Sequence, residues 1–191
     1  MNIKNIFIES AQIKEKIAGD DKLLSRIEQV AFDIVKALKN EKKVLLCGNG
    51  GSAADAQHVA AELLGKFYMR RKALPAISLN TNVSVLTAIA NDYSYDDVFS
   101  RQVEGLGKSG DILIGISTSG NSKNVVKAVE TAKKLGIKTV CLTGENGGTL
   151  KNICDICICV PSNSTPRIQE AHITIGHVIC EVVEKEFFKS E

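Results

Sequence analysis

Five short apolar runs, VLLC (44–47), AISL (76–79), DILIGIS (111–117), KTVCLT (138–143) and ICICV (156–160), alternate with helix-like stretches, and this alternation constrains the fold more than any other feature. Continuous apolar runs mark strands covered on both faces, and strands joined through helices pair in parallel. Helical periodicity falls at 52–66, 82–91, 98–106, 122–135 and 165–188. The expected class is α/β: a doubly wound, five-stranded, mainly parallel sheet of flavodoxin-like type. Two further helices are expected near 3–18 and 21–39, the second with Leu23, Leu24, Ile27, Val30, Ala31, Ile34, Val35 and Leu38 at helical spacing. No linker or repeat divides the chain, so a single domain is expected over 1–191, with a helical extension at 1–40 and an α/β core at 41–191.

These outer helices exceed what a five-stranded sheet needs for cover. The last one carries Ile168, Ile173, Ile175, Val178, Ile179, Val182 and Val183 around much of its circumference, so it must be buried on several sides. A homo-oligomer with a helical interface is the economical solution. With 24 basic against 22 acidic residues, net +2, nothing points broadly to nucleic acid or an anionic membrane. The N-terminal segment lacks a secretory pattern and no stretch is long and apolar enough for a bilayer, so a cytoplasmic location is expected.

Two loops carry the chemistry. Gly48 to Ser52 (GNGGS) and Gly115 to Ser122 (GISTSGNS) each lead from a strand into a helix. Helix N-termini offer unpaired N–H groups at the positive end of the macrodipole, hydroxyls add donors, and glycine permits close approach of an anion. Neither loop ends in Gly-Lys-Ser/Thr, which disfavours a nucleotide triphosphate. Gly48, Gly50 and Ala53 do match a degenerate dinucleotide fingerprint, but the next strand ends in Asn80, Thr81 and Asn82 where a ribose-binding acid is wanted. A small phosphorylated metabolite fits better. The alternative is a pair of ordinary serine-capped turns.

Six cysteines stand at 47, 141, 154, 157, 159 and 180. Cys154 and Cys157 have the spacing of half a zinc knuckle, yet no second such pair completes it. In a strand, period two puts Cys157 and Cys159 on one face and Cys154 on the other. All six are expected to be reduced core residues.

Only three histidines occur, His58, His172 and His177. His58 and Glu62 are four apart on one helix face, a spacing that serves a divalent metal, an oriented acid/base pair or a plain surface contact. His172 and His177 lie in TPRIQEAHITIGHVICEVVEKE beside Gln169. His177 is either a core histidine or joins His58, Glu62 and Gln169 in one N/O site for zinc. Eight helical residues separate Gln169 from His177, about 12 Å of rise, so a shared ion requires a frayed helix start or ligands from different subunits.

The segments GNGGSAADAQHVAAE, IAND, GISTSGNS, LTGENGG and RIQEAHITIGH, in this order over residues 44 to about 180, strongly resemble the sugar-isomerase (SIS) domain family. The combination of His-x-x-x-Glu after GNGGS with RIQE and a histidine eight residues beyond the Gln points to its aldose–ketose isomerases of seven-carbon sugar phosphates. The resemblance implies conversion of D-sedoheptulose 7-phosphate to D-glycero-D-manno-heptose 7-phosphate through an enediol, the first step toward nucleotide-activated heptose for lipopolysaccharide or capsule. It assigns Ser52, Ser117, Thr118, Ser119 and Ser122 to the phosphate, and Asn49, Gly50, Gly51, Asn91, Asp92 and Gln169 to the sugar chain. His58, Glu62, Gln169 and His177 would hold Zn2+, with Glu62 and His177 as acid/base groups and Glu62 also touching substrate. A homotetramer with active sites between subunits is implied. Lys66 departs from the family, which commonly carries arginine there, replacing a bidentate fork with a point charge. Two rivals remain: a non-catalytic SIS protein that binds a replication initiator, against which His177 argues, and an isomerase of another phosphosugar.

Overall fold

A computed structural model describes residues 2–189. Five strands, β1 (Val44–Gly48), β2 (Ala76–Ser78), β3 (Ile112–Ile116), β4 (Lys138–Thr143) and β5 (Ile156–Cys159), form one sheet in the order β2-β1-β3-β4-β5, every pair parallel. This is the doubly wound order expected from the alternation. The chain runs outward from β1 to β2 in one direction and from β3 to β5 in the other, so the crevice at the switch point opens between the loops that follow β1 and β3. Those are the two glycine–serine loops.

The helices are α1 (Ile3–Ala18), α2 (Asp21–Lys39), α3 (Gly51–Leu64), α4 (Val83–Asp92), α5 (Ser100–Leu106), α6 (Lys123–Lys134), the short α7 (Leu150–Ile153) and α8 (Thr165–Phe187). Period two along the strands divides the core. Val44, Leu46, Ile112, Ile114 and Val140 face the layer of α2, α3 and α8, against which α1 packs in turn, whereas Leu45, Cys47, Leu113 and Cys141 face the layer containing α5 and α6. Both strand faces are covered, as continuous apolar runs require. Side chains such as Ile34 and Val30 of α2 are fully buried, each contributing about 1.5–3 kcal/mol by leaving water. The N-cap Asp20 accepts from the N–H groups of Lys22 and Leu23 and so starts α2.

Three expectations need correction. α3 ends at Leu64, not at 66, so exposed Lys66 lies beyond the helix. β5 begins only at Ile156, so the period-two rule does not reach Cys154: its thiol adjoins those of Cys141 and Cys157 instead of facing away. Cys154, Cys157 and Cys159 are also only half-buried, the last two with Sγ atoms 3.6 Å apart, whereas Cys47, Cys141 and Cys180 are core residues. α8 packs on α2, α3 and α1 but leaves Val178 exposed. No helix among the described residues is long and apolar enough to cross a membrane.

Candidate active site

β3 delivers the hydroxyl-rich loop. Ser117 is buried, its N–H bound to the Leu142 carbonyl (3.0 Å), and its Oγ lies 2.9 Å from Ser122 Oγ and 3.5 Å from Ser119 Oγ. Ser122 caps α6 without spending its hydroxyl on the helix. The turn depends on Gly120, whose φ of +68° is left-handed and whose Cβ, were there one, would overlap the Gly147 carbonyl. Three hydroxyls and the free N–H groups of the first turn of α6 therefore face one place, a setting suited to an anion. Beside it lies a cavity of about 270 Å3 whose lining includes Thr118, Ser119, Glu145, Asn163 and Thr165.

The other loop is fastened from outside. Gly48 exchanges two hydrogen bonds with the Asn80 side chain, and a Cβ on it would meet the Ser52 backbone oxygen at 2.6 Å. Asn49 and Asn124 exchange side-chain hydrogen bonds of 2.9 Å, and Tyr95 Oη donates to Asn49 Oδ1 (3.0 Å). Gly50 turns the chain into α3, leaving Ser52 buried and Gly51 so close to Gln169 that a methyl group there would overlap its amide. Asn91 and Asp92, at the end of α4, are exposed and bonded to each other; no hydrogen bond joins them to either loop among the described residues.

α3 and α8 run side by side in parallel. Gly176 of α8 lies against Val59 of α3, where a Cβ would come within 2.7 Å of the valine Cγ2, so the two helices approach closely. His177 thereby meets His58 with their Nε2 atoms 3.0 Å apart, and His58 Nε2 is 3.1 Å from Glu62 Oε1. One ligand atom from each of His58, Glu62 and His177 lies within 4.8 Å of the others. A single Nε2–H cannot serve both of His58's neighbours with good geometry, so three lone-pair-bearing atoms crowd one point. A divalent cation relieves that crowding, and two imidazoles with a carboxylate from two helices are a donor set zinc accepts. The donors present fit the ion.

Gln169 is not brought to this cluster within the chain. Its amide sits at the start of α3, about 10 Å of helix rise before His58. Asp55, one turn before His58, is half-buried with an unpartnered Oδ2, and burial pushes its carboxyl up to about 6 against the opposing pull of His58. His172 is the core histidine. Its Nε2 lies 3.1 Å from the Thr143 carbonyl oxygen, Nδ1 is unpartnered, and burial pushes its pKa down to about 4. Tyr95 and Asn124, which hold Asn49 in place, escaped the sequence reading; neither stands in a recognisable motif.

A doubly wound parallel sheet with two hydroxyl- and glycine-rich loops at its switch point defines a class of sugar-phosphate-handling domains. The chain belongs to one such family, the SIS domain family, whose model matches residues 9–144. It is 57% identical to the phosphoheptose isomerase of Clostridium acetobutylicum, covering 94% of this chain and 91% of that protein. With the phosphoheptose isomerase of Sulfurimonas denitrificans the identity is 54% over 97% and 95%. Its fold matches the solved structure of the phosphoheptose isomerase from Francisella tularensis with a TM-score of 0.92 at 42% identity, covering 96% of each chain.

Proposed function

We infer that this chain is an aldose–ketose isomerase that converts D-sedoheptulose 7-phosphate to D-glycero-D-manno-heptose 7-phosphate. The observation that carries this reading is the convergence of His58, Glu62 and His177 on one point, in a chain that also carries a hydroxyl-lined anion loop and is more than half identical to phosphoheptose isomerases over nearly its full length. About 9 Å of helix rise separates Ser52 from His58, a span suited to a phosphate at one end of an open-chain heptose and reacting carbons at the other.

Ser117, Thr118, Ser119 and Ser122, with the N–H groups opening α6, hold the phosphate, and Ser52 completes that site from the opposite loop. Asn49, Gly50, Gly51 and Gln169 line the path of the sugar chain, joined by Asn91 and Asp92. Once the ring is open, the Glu62 carboxylate takes a proton from C1 of the ketose. The C1–H electron pair forms the enediol, and Glu62 returns the proton to C2. His177 moves the matching protons on oxygen, giving one to O2 and taking one from O1. His58, Glu62 and His177 would hold a zinc ion, which when bound would supply Lewis-acid polarisation of the substrate carbonyl. Gln169 of the same chain stands too far along α3 to join that ligand set, and its part as a ligand is assigned to a second copy. Exposed Ile3, Phe7, Leu24 and Val178 support a homotetramer built through the outer helices. A cytoplasmic location accords with a soluble phosphosugar substrate.

The test is an NMR time course with sedoheptulose 7-phosphate, with and without zinc, beside a His177→Asn control. Appearance of the aldose, lost in the control, is expected. Binding without conversion under every metal condition would replace the enzyme with a sugar-phosphate-sensing or partner-binding protein.

A further inference from the structure

A buried ion pair sits where α3 ends. Arg71 and Glu184 side chains are 3% and 2% exposed, with Nε 2.7 Å from Oε2. The Glu184 carboxylate also accepts from the backbone N–H groups of Phe67 (3.0 Å), Tyr68 (2.7 Å) and Met69 (2.8 Å). Arg71 spends its other donors on the carbonyls that close α3: Nη2 on Glu62 (2.9 Å), Nη1 on Leu63 (2.9 Å) and Gly65 (3.3 Å). A cation at the C-terminal end of a helix also meets the negative pole of its dipole. Two contacts of this pair reach groups of the proposed site. One of the carbonyls Arg71 holds belongs to Glu62 itself, and Glu184, which stands seven residues after His177 on the same face of α8, binds the Phe67 N–H. The loop that Glu184 gathers places the Phe67 ring 5.7 Å from the His177 ring.

We propose that Arg71 and Glu184 are positioning residues that set the Glu62–His177 separation, one by clamping the last turn of α3 and the other by seating Phe67 against His177. The inference rests on the isomerase reading for its catalytic consequence, but not for its geometric one. Partners behind metal-binding or reacting groups typically account for a 10–100-fold change in affinity or rate. A brace that served the fold alone would change neither.

The variants are Glu184→Gln, which keeps the shape but loses the charge, and Arg71→Lys, which keeps the charge but loses the fork. Each is checked for folding by circular dichroism and for assembly by elution volume. Three readouts are taken: the zinc dissociation constant by competition with a chromophoric chelator, kcat and KM on sedoheptulose 7-phosphate, and the histidine ring signals in a 1H–15N spectrum of metal-free protein. Expected are a 10–100-fold loss of zinc affinity and of kcat with KM little changed, and displaced His58 and His177 signals with that of His172 unmoved. Folded variants that melt earlier yet keep wild-type zinc affinity, kcat and ring signals would overturn the proposal. Should both fail to fold, Phe67→Leu, which touches neither charge, decides on the same three readouts. Should wild-type protein leave the heptulose unconverted, the isomerase reading falls, and the zinc constant and ring signals still decide this one.

Discussion

Lowering the pH tests how His172 is built into the fold. Its ring gives one proton to the Thr143 carbonyl and keeps Nδ1 buried without a partner, so a second proton has nowhere to bond. Burial moves its pKa from 6.5 down to about 4. The unfolded chain therefore takes up the proton first. The stability held by neutral His172 is complete above pH 6.5 and drains away as pH falls toward 4, at about 1.4 kcal/mol per pH unit. Between pH 6.5 and 5 the loss is about 2 kcal/mol. Asp55 acts in the opposite sense: its raised carboxyl protonates first in the folded state, so it adds stability as pH falls from 6 toward 3.8, damped by solvent at a half-exposed site. Wild-type protein alone would show only the balance. His172→Gln removes one contribution, because its amide nitrogen can reach the same carbonyl without titrating. Urea unfolding of both proteins at pH 7 and pH 5, at one protein concentration, cancels every group they share. The wild type is expected to lose about 2 kcal/mol more than the variant across that interval. Equal losses would mean that His172 is not held neutral by burial, and the reasoning would fail.

The remaining predictions concern the site. Glu62→Gln is expected to abolish turnover while leaving calorimetric binding of the phosphosugar largely intact; unchanged turnover would remove Glu62 from the chemistry. Ser119→Ala deletes one of the hydroxyls facing the anion loop and should weaken inorganic phosphate binding about tenfold, the size of a hydrogen bond to a charged group, and raise KM alike. An equal affinity would place the phosphate elsewhere. Gly51→Ala forces the Gln169 amide from the start of α3, and because that amide is the far end of a flexible side chain it can swing aside with little loss of stability. It should lower kcat/KM while leaving the melting temperature near wild type, and an unchanged kcat/KM would show that the placement of the Gln169 amide does not matter to the reaction.

What the sequence disclosed and what it hid divide along a physical line. The parallel strands were legible because covered strands must be apolar on both faces, and the two loops because hydroxyls and glycine before a helix leave few uses other than binding or capping. Both are properties of one contiguous stretch. The end of α3 has a local signal, the C-cap Gly65 directly after Leu64, which outranks the helical periodicity that runs on to 66. What is not local is the Arg71 side chain, six residues beyond Gly65, which takes the last carbonyls and is itself held from α8. Cys154 went astray because period two holds only inside a strand, and β5 starts two residues later. The histidine cluster was half legible. Four-residue spacing set His58 beside Glu62, but whether His177 or Gln169 meets them depends on the stagger of α3 against α8, fixed where Gly176 meets Val59. A side chain larger than hydrogen at 176 would part the helices, and the two Nε2 atoms would separate although His58, Glu62 and His177 all remained in the sequence. The chemistry of this site thus hangs on a packing contact that no pattern of polar residues encodes.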